Sequence, residues 1–109
     1  MKDKKTVLFL GASITQGMIS SSYVKILKGR LSTKQFNFKN HGVAGYESYN
    51  VMKKLEKAVK LSPDYVILLV GTNDVLSSLD PKLAELTRKL KKIPHEPSIF
   101  HYRNNVTSI

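Results

Sequence analysis

Three short polar stretches follow apolar runs and carry residue types able to attack and stabilise a carbonyl group. They are Gly11-Ala12-Ser13-Ile14-Thr15, Asn40-His41-Gly42-Val43-Ala44-Gly45 and Gly71-Thr72-Asn73-Asp74. A serine hydroxyl becomes a nucleophile toward an acyl carbon once a base removes its proton. Negative charge then gathers on the carbonyl oxygen, and preorganised donors about 3 Å away stabilise it. The Asn73 side-chain amide is such a donor, and so is the backbone N–H of Gly45, where no side chain obstructs a close approach. Singly, each stretch has a plainer reading: Ser13 caps a helix and Gly71 to Asp74 forms an Asx-type turn. Gly11 and Gly17 do not make a phosphate loop, because no lysine stands at the Walker position and no G-x-G-x-x-G is present. The G-x-S-x-G elbow is also absent, since Thr15 occupies the place of its second glycine.

These residues meet only if the intervening elements bring them together. Thr6 to Leu10 is a continuous apolar run, the pattern of a central strand covered by helices on both faces. Tyr23, Ile26, Leu27 and Leu31 then recur at helical spacing, with Ser20 to Ser22 as N-cap candidates and Gly29 weakening the last turns. Phe36-Asn37-Phe38-Lys39 alternates, as in a strand nearer an edge. From Ser48, the residues Val51, Met52, Leu55, Ala58 and Val59 share a helix face, and Ser62-Pro63-Asp64 ends it. Tyr65 to Val70 is the strongest strand signal in the chain. Asp80-Pro81 starts a helix whose buried stripe is expected at Leu83, Leu86, Leu90 and Ile93, with Pro94 and Pro97 closing it. A short fourth strand is expected at Ser98 to Tyr102, within a polar tail over 98–109. Three strand-loop-helix units with right-handed crossovers give a parallel sheet in a three-layer α/β/α sandwich. All three polar stretches then open at the carboxyl edge of the sheet, where such folds place their ligands.

A chain of 109 residues is expected to form a single domain over 1–109. With no cysteine it has neither a disulfide framework nor a thiolate metal site, which fits a reducing compartment. Thr6 to Ala12 reads as a strand rather than a signal peptide, and no other apolar stretch approaches a membrane span; a cytoplasmic location is expected. No cofactor or metal is expected. Eighteen Lys and Arg against eight Asp and Glu give a formal charge of +10, which concentrates anionic partners near the surface. The basic residues recur on the outer faces of helical segments, as Lys53, Lys54, Lys57 and Lys60 and again as Arg88, Lys89, Lys91 and Lys92. Without aromatic interleaving or a recognisable motif, they read as a solvated surface rather than a nucleic-acid site. The sequon Asn105-Val106-Thr107 has no meaning in a cytosolic chain.

In order and spacing, the three stretches resemble the sequence blocks of the GDSL-type esterases and lipases, also called SGNH hydrolases. That resemblance spans residues 5 to 93, roughly the first half of a family domain, and implies a flavodoxin-like parallel sheet, here truncated to three or four strands. It also implies that Ser13 is the nucleophile and that the Ser13 N–H, the Gly45 N–H and the Asn73 amide form the oxyanion hole. Two departures stand out. Ala12 occupies the place of the family's usual aspartate, a change that touches loop hydrogen bonding more than chemistry. The family's base, a histidine with an aspartate three residues before it, has no counterpart: Phe38, Lys92 and Ser98 precede His41, His95 and His101 at that distance. His41 is the one histidine placed near the mouth of the site, and Asp74 is expected to orient its loop. The expected function is a serine esterase or acylhydrolase acting on a small-molecule acyl ester, its base unidentified. The alternative is an inactive truncated scaffold that binds an anionic or acyl ligand. A third strand so apolar is expected to leave an edge exposed, so the chain is expected to self-associate there as a homo-oligomer, and a second copy could supply the base.

Overall fold

The computed structural model describes residues 4–18, 22–31 and 35–109. The strands are β1 (Lys5–Gly11), β2 (Phe36–Gly42) and β3 (Tyr65–Leu69). The helices are α1 (Ser13–Gln16), α2 (Tyr23–Arg30), α3 (Ser48–Ala58), α4 (Thr72–Leu79), α5 (Pro81–Lys91) and α6 (Ile99–Ser108). The sheet is wholly parallel in the order β2-β1-β3. Its register sets Gly11 beside Gly42 on one side and beside Leu69 on the other. All three strands therefore end level.

Alternation along β1 divides its side chains between the faces. Leu8 and Leu10 pack with Val51 and Ala58 of α3, whereas Val7 and Phe9 pack with Val24 of α2. Phe9 meets Tyr23 edge-on at 5.8 Å between ring centroids and stacks on Phe38 at 6.2 Å. Burial on both faces makes β1 the centre of the sandwich, as its uninterrupted apolar run predicts.

Several expected elements are displaced. Ser22 caps α2 by accepting the Lys25 N–H, and the Ser20 and Ser21 candidates lie outside the described residues. Val24, not Ile26, is the buried residue of that helix, while Ile26 and Leu31 are exposed. The helix from Ser48 ends at Ala58 and passes into a short 3₁₀ turn over Val59–Leu61, with Ser62 in the left-handed conformation before Pro63. The stretch after Gly71 is not only a loop, because α4 starts at once and runs to Leu79. Asp80 then caps α5, accepting the Lys82 and Leu83 N–H groups. Half of the expected α5 stripe is in water: Leu86 and Leu90 are 53% and 68% exposed, whereas Leu83 is half-buried and the following Ile93 is buried, as is Ala84. The expected strand at Ser98 to Tyr102 is the start of α6 instead. Ser98 accepts the His101 N–H as its cap, and Asn105 is buried, so 98–109 is a docked helix rather than a polar tail.

β3 is an edge strand whose apolar side chains remain open, with Tyr65 55% and Leu69 48% exposed. Among the described residues no helix is long and apolar enough to cross a membrane. The two kinds of leucine and phenylalanine environment are separable by substitution. Phe9→Ala is expected to cost about 3–5 kcal/mol in urea unfolding. Leu86→Ala should change stability by about 0.5 kcal/mol or less.

Candidate active site

Ser13 is the first residue of α1, separated from the end of β1 by Ala12 alone. The opening N–H groups of a helix have no acceptor within it, so this turn presents free donors beside the serine. Ser13 lines a pocket of about 110 Å³ together with Ile14, Gly71 and Asn73. The first and third polar stretches therefore meet across the ends of β1 and β3.

Gly45 does not line this pocket, but its loop is tied to both of the other stretches. The Val43 N–H donates to the Gly11 carbonyl at 3.1 Å, and the Ala44 N–H to Gln16 Oε1 at 3.2 Å. The Asn73 amide donates to the Tyr46 carbonyl at 2.9 Å. Since Nδ2 carries two hydrogens, that bond anchors one and leaves the second as a donor. Close approach makes glycine necessary at position 42, where a Cβ would lie 2.5 Å from the Gln16 nitrogen. At Gly45 the reason is conformational: φ is +83°, in the left-handed region.

Two further clasps join α3 to α4, and both use residues with no expected role or only a loop-orienting one. The Asp74 carboxylate accepts the Ser48 N–H at 2.9 Å and the Ser48 hydroxyl at 2.7 Å. Asp74 thus caps α3 from another helix instead of closing an Asx turn. Glu47 forms a reciprocal capping box with Asn50, and its buried carboxylate accepts the Ser77 hydroxyl at 2.6 Å. Burial pushes the Glu47 carboxyl above its usual range and the Asp74 charge adds to the push, while the Ser77 hydrogen bond and His95 oppose it. Asn105 extends the network from α6, donating to Ser48 Oγ at 3.2 Å. Glu47 and Asn50 have the three-residue spacing of a capping box, but with Glu at the cap and Asn at the third position in place of the usual Ser or Thr and Glu or Gln. Pairing across helices leaves no such local signature.

None of the three histidines lines the Ser13 pocket. His41 and Asn40 alternate across β2: Asn40 donates to the Thr15 carbonyl of α1, which leaves His41 on the opposite face, under the influence of Lys54 of α3. The expected position of His41 near the site mouth is corrected by this alternation. Among the described residues its Nδ1 is buried without a hydrogen-bond partner, and burial, followed by Lys54 and Lys39, holds its pKa below the usual value. His95 and His101 stack with ring centroids 4.0 Å apart, and His95 packs edge-on against Tyr49. Among the described residues no group of three His, Cys, Asp or Glu is placed to hold a metal ion.

A sequence profile described as the GDSL-like Lipase/Acylhydrolase family matches residues 9–107. No curated protein sequence matches the chain. Among solved structures it is similar to AlinE4, a SGNH-hydrolase family esterase, with a TM-score of 0.60 and 24% identity over 86% of this chain and 58% of that one. It is similar also to a variant of Axe2, an acetyl xylan esterase from Geobacillus stearothermophilus, with a TM-score of 0.69 and 20% identity over 99% of this chain and 55% of that one. For the acetyl xylan esterase AlAXEase the TM-score is 0.60 and the identity 23%, over 94% and 70% of the two chains. At such identities the likeness is one of fold. The chain spans little more than half the length of the first two.

The unpartnered histidine has a measurable consequence. A folded-state pKa held below the ordinary 6.5 means that His41 favours the folded chain above that pH, and that this contribution is lost as pH falls through the lowered value. Glu47 acts in the opposite sense: its raised pKa favours the fold below the ordinary 4.5, and the contribution is lost as pH rises through the raised value. Urea midpoints followed downward from neutral pH should therefore fall below pH 6.5 in the native chain and fall less steeply in His41→Gln. Parallel curves for the two proteins would show that His41 does not titrate with folding.

Proposed function

The chain belongs to the GDSL-like lipase/acylhydrolase family, and on that footing we propose that its site performs serine acyl transfer on a small-molecule ester. The Ser13 hydroxyl oxygen attacks the ester carbon, passing its proton to a base (solvent water where no side chain serves) that returns it to the leaving alcohol. Charge on the former carbonyl oxygen is received by the Ser13 and Gly45 N–H groups and by the free Nδ2 hydrogen of Asn73. Collapse expels the alcohol, which takes up a proton, and leaves an acyl-Ser13. Water then attacks the acyl carbon, releasing the carboxylic acid and restoring the hydroxyl.

One observation carries this reading. The Asn73 amide is anchored on the Tyr46 carbonyl, next to Gly45, while Asn73 itself lines the pocket that holds Ser13. A donor held in this way is preorganised, which is the property that makes oxyanion stabilisation effective.

The base is the unfilled role, since the pocket has no histidine among its lining residues. Removing the histidine from a complete serine triad lowers turnover by on the order of 10⁶, so the 109 residues alone should acylate slowly. We propose that copies of the chain associate through the open edge of β3, a reading supported by the exposure of all five residues of that strand. A base from a second copy would reach the site across that contact. The second reading, a scaffold that binds without turnover, is favoured by the same lack of a histidine at the pocket.

Mass-spectrometric labelling with a fluorophosphonate separates the two. Adduct should form on Ser13 over hours, accelerate on addition of free imidazole as a substitute base, and vanish in Ser13→Ala. Asn73→Ala should slow it by roughly 10²–10³. Labelling that survives Ser13→Ala, or none at all with imidazole present, would leave the binding scaffold as the reading. A rate per chain that is independent of protein concentration would remove the second copy as the source of the base.

A further inference from the structure

The two lysine runs that look in the sequence like separate solvated faces converge in the fold. Lys53, Lys54 and Lys57 of α3 face Lys91 and Lys92 at the end of α5 across a pocket of about 290 Å³. Among the described residues no acidic side chain lines it. Among the described residues only Lys53 of these five has an ion-pair partner, Glu56 at 3.6 Å. Like charges on facing helices repel, so this arrangement is stable only where solvent or an anion fills the space between them.

The walls are built rather than incidental. Asn50 is buried and bridges the two helices, donating to the Lys91 carbonyl at 2.9 Å while accepting the Glu47 N–H at 3.0 Å. Tyr46 and Tyr49 complete the lining, and the Lys91 ammonium stands 5.5 Å from the centre of the Tyr46 ring. Lys54 and Lys91 are half-buried, so their charges act in a medium less screening than bulk water. The positive field reaches beyond the pocket, since Lys54 also disfavours protonation of His41.

From this convergence we infer that the pocket between α3 and the C-terminal end of α5 is a binding site for a phosphate-bearing anion, held by Lys54, Lys57, Lys91 and Lys92. Four unpaired ammonium groups offer point-charge donors suited to the several oxygens of a phosphate or diphosphate. The site adjoins the glycine loop, because a Cβ at Gly45 would lie 3.0 Å from Lys91 Cε. It stands independently of hydrolysis at Ser13.

Isothermal titration of the full chain with pyrophosphate tests it, beside two double variants of equal charge change. Lys57→Gln with Lys91→Gln should weaken binding about tenfold, as expected for lost charge-assisted hydrogen bonds, and reduce its salt dependence. Lys25→Gln with Lys82→Gln removes the same charge elsewhere and should stay within roughly twofold of the native chain. Equal loss in both variants, or no pyrophosphate binding at low salt, overturns the site. Vesicles of phosphatidylcholine with and without phosphatidic acid identify the source of the phosphate. Capture only by phosphatidic acid vesicles, competed by pyrophosphate, assigns a lipid headgroup. Pyrophosphate binding without vesicle capture assigns a soluble phosphate, and vesicle capture that pyrophosphate cannot compete overturns the proposal.

Discussion

No face of β1 can meet water. Leu8, Phe9 and Leu10 are fully buried, with consecutive residues pointing into opposite layers, so helices must pack on both sides of the strand before it is stable. From that requirement the rest follows. The sheet must be parallel to leave room for crossover helices, parallel strands must end at one edge, and whatever the chain places after each strand is gathered there. Ser13, Gly45 and Asn73 are 32 and 28 residues apart in sequence, yet the register that aligns Gly11 with Gly42 and Leu69 gathers their loops at the same edge.

Hydrogen bonds then turn three neighbouring loops into one unit. Gln16 holds Ala44, Gly11 holds Val43, Asn73 holds Tyr46 and Asp74 holds Ser48. Each bond has a modest net contribution to stability, about 1 kcal/mol, but each fixes a group whose direction matters more than its energy. Beside them the carboxylate of Glu47, costly to bury on its own, is held by the Ser77 hydroxyl and the capping box with Asn50. Beside the site lies the other character of the molecule: β3, whose Leu69 lines the Ser13 pocket, leaves its apolar side chains exposed, as do Val75, Leu79, Leu86 and Phe100.

The core strand, the three polar loops and the parallel sandwich are legible in the sequence because each rests on local periodicity or a strand-end motif. Helix α4 is less legible, since Thr72-Asn73-Asp74 has turn chemistry and only Val75, Leu76 and Leu79 hint at a helical face. The stripe Leu83, Leu86, Leu90 and Ile93 has helical spacing but leaves Leu86 and Leu90 exposed, because periodicity tells which residues share a face and not whether anything packs on it. At 98–102 the short run Ile99-Phe100-His101-Tyr102 suggests a strand, and the capping hydroxyl of Ser98 with the buried contacts of Asn105 makes a helix instead. The lysine pocket is wholly tertiary: its two halves are about 35 residues apart, and nothing within either run announces the other.

Central to the proposed chemistry is that Ser13, Gly45 and Asn73 would act on one oxygen. A crystal structure of the chain carrying a phosphonyl adduct reads that directly. The phosphonyl oxygen should lie about 2.7–3.1 Å from the backbone nitrogens of Ser13 and Gly45 and from Nδ2 of Asn73, with the Asn73 to Tyr46 bond intact. An adduct whose oxygen faces solvent, or that touches Ser13 while Gly45 and Asn73 stand apart from it, would contradict a shared oxyanion hole.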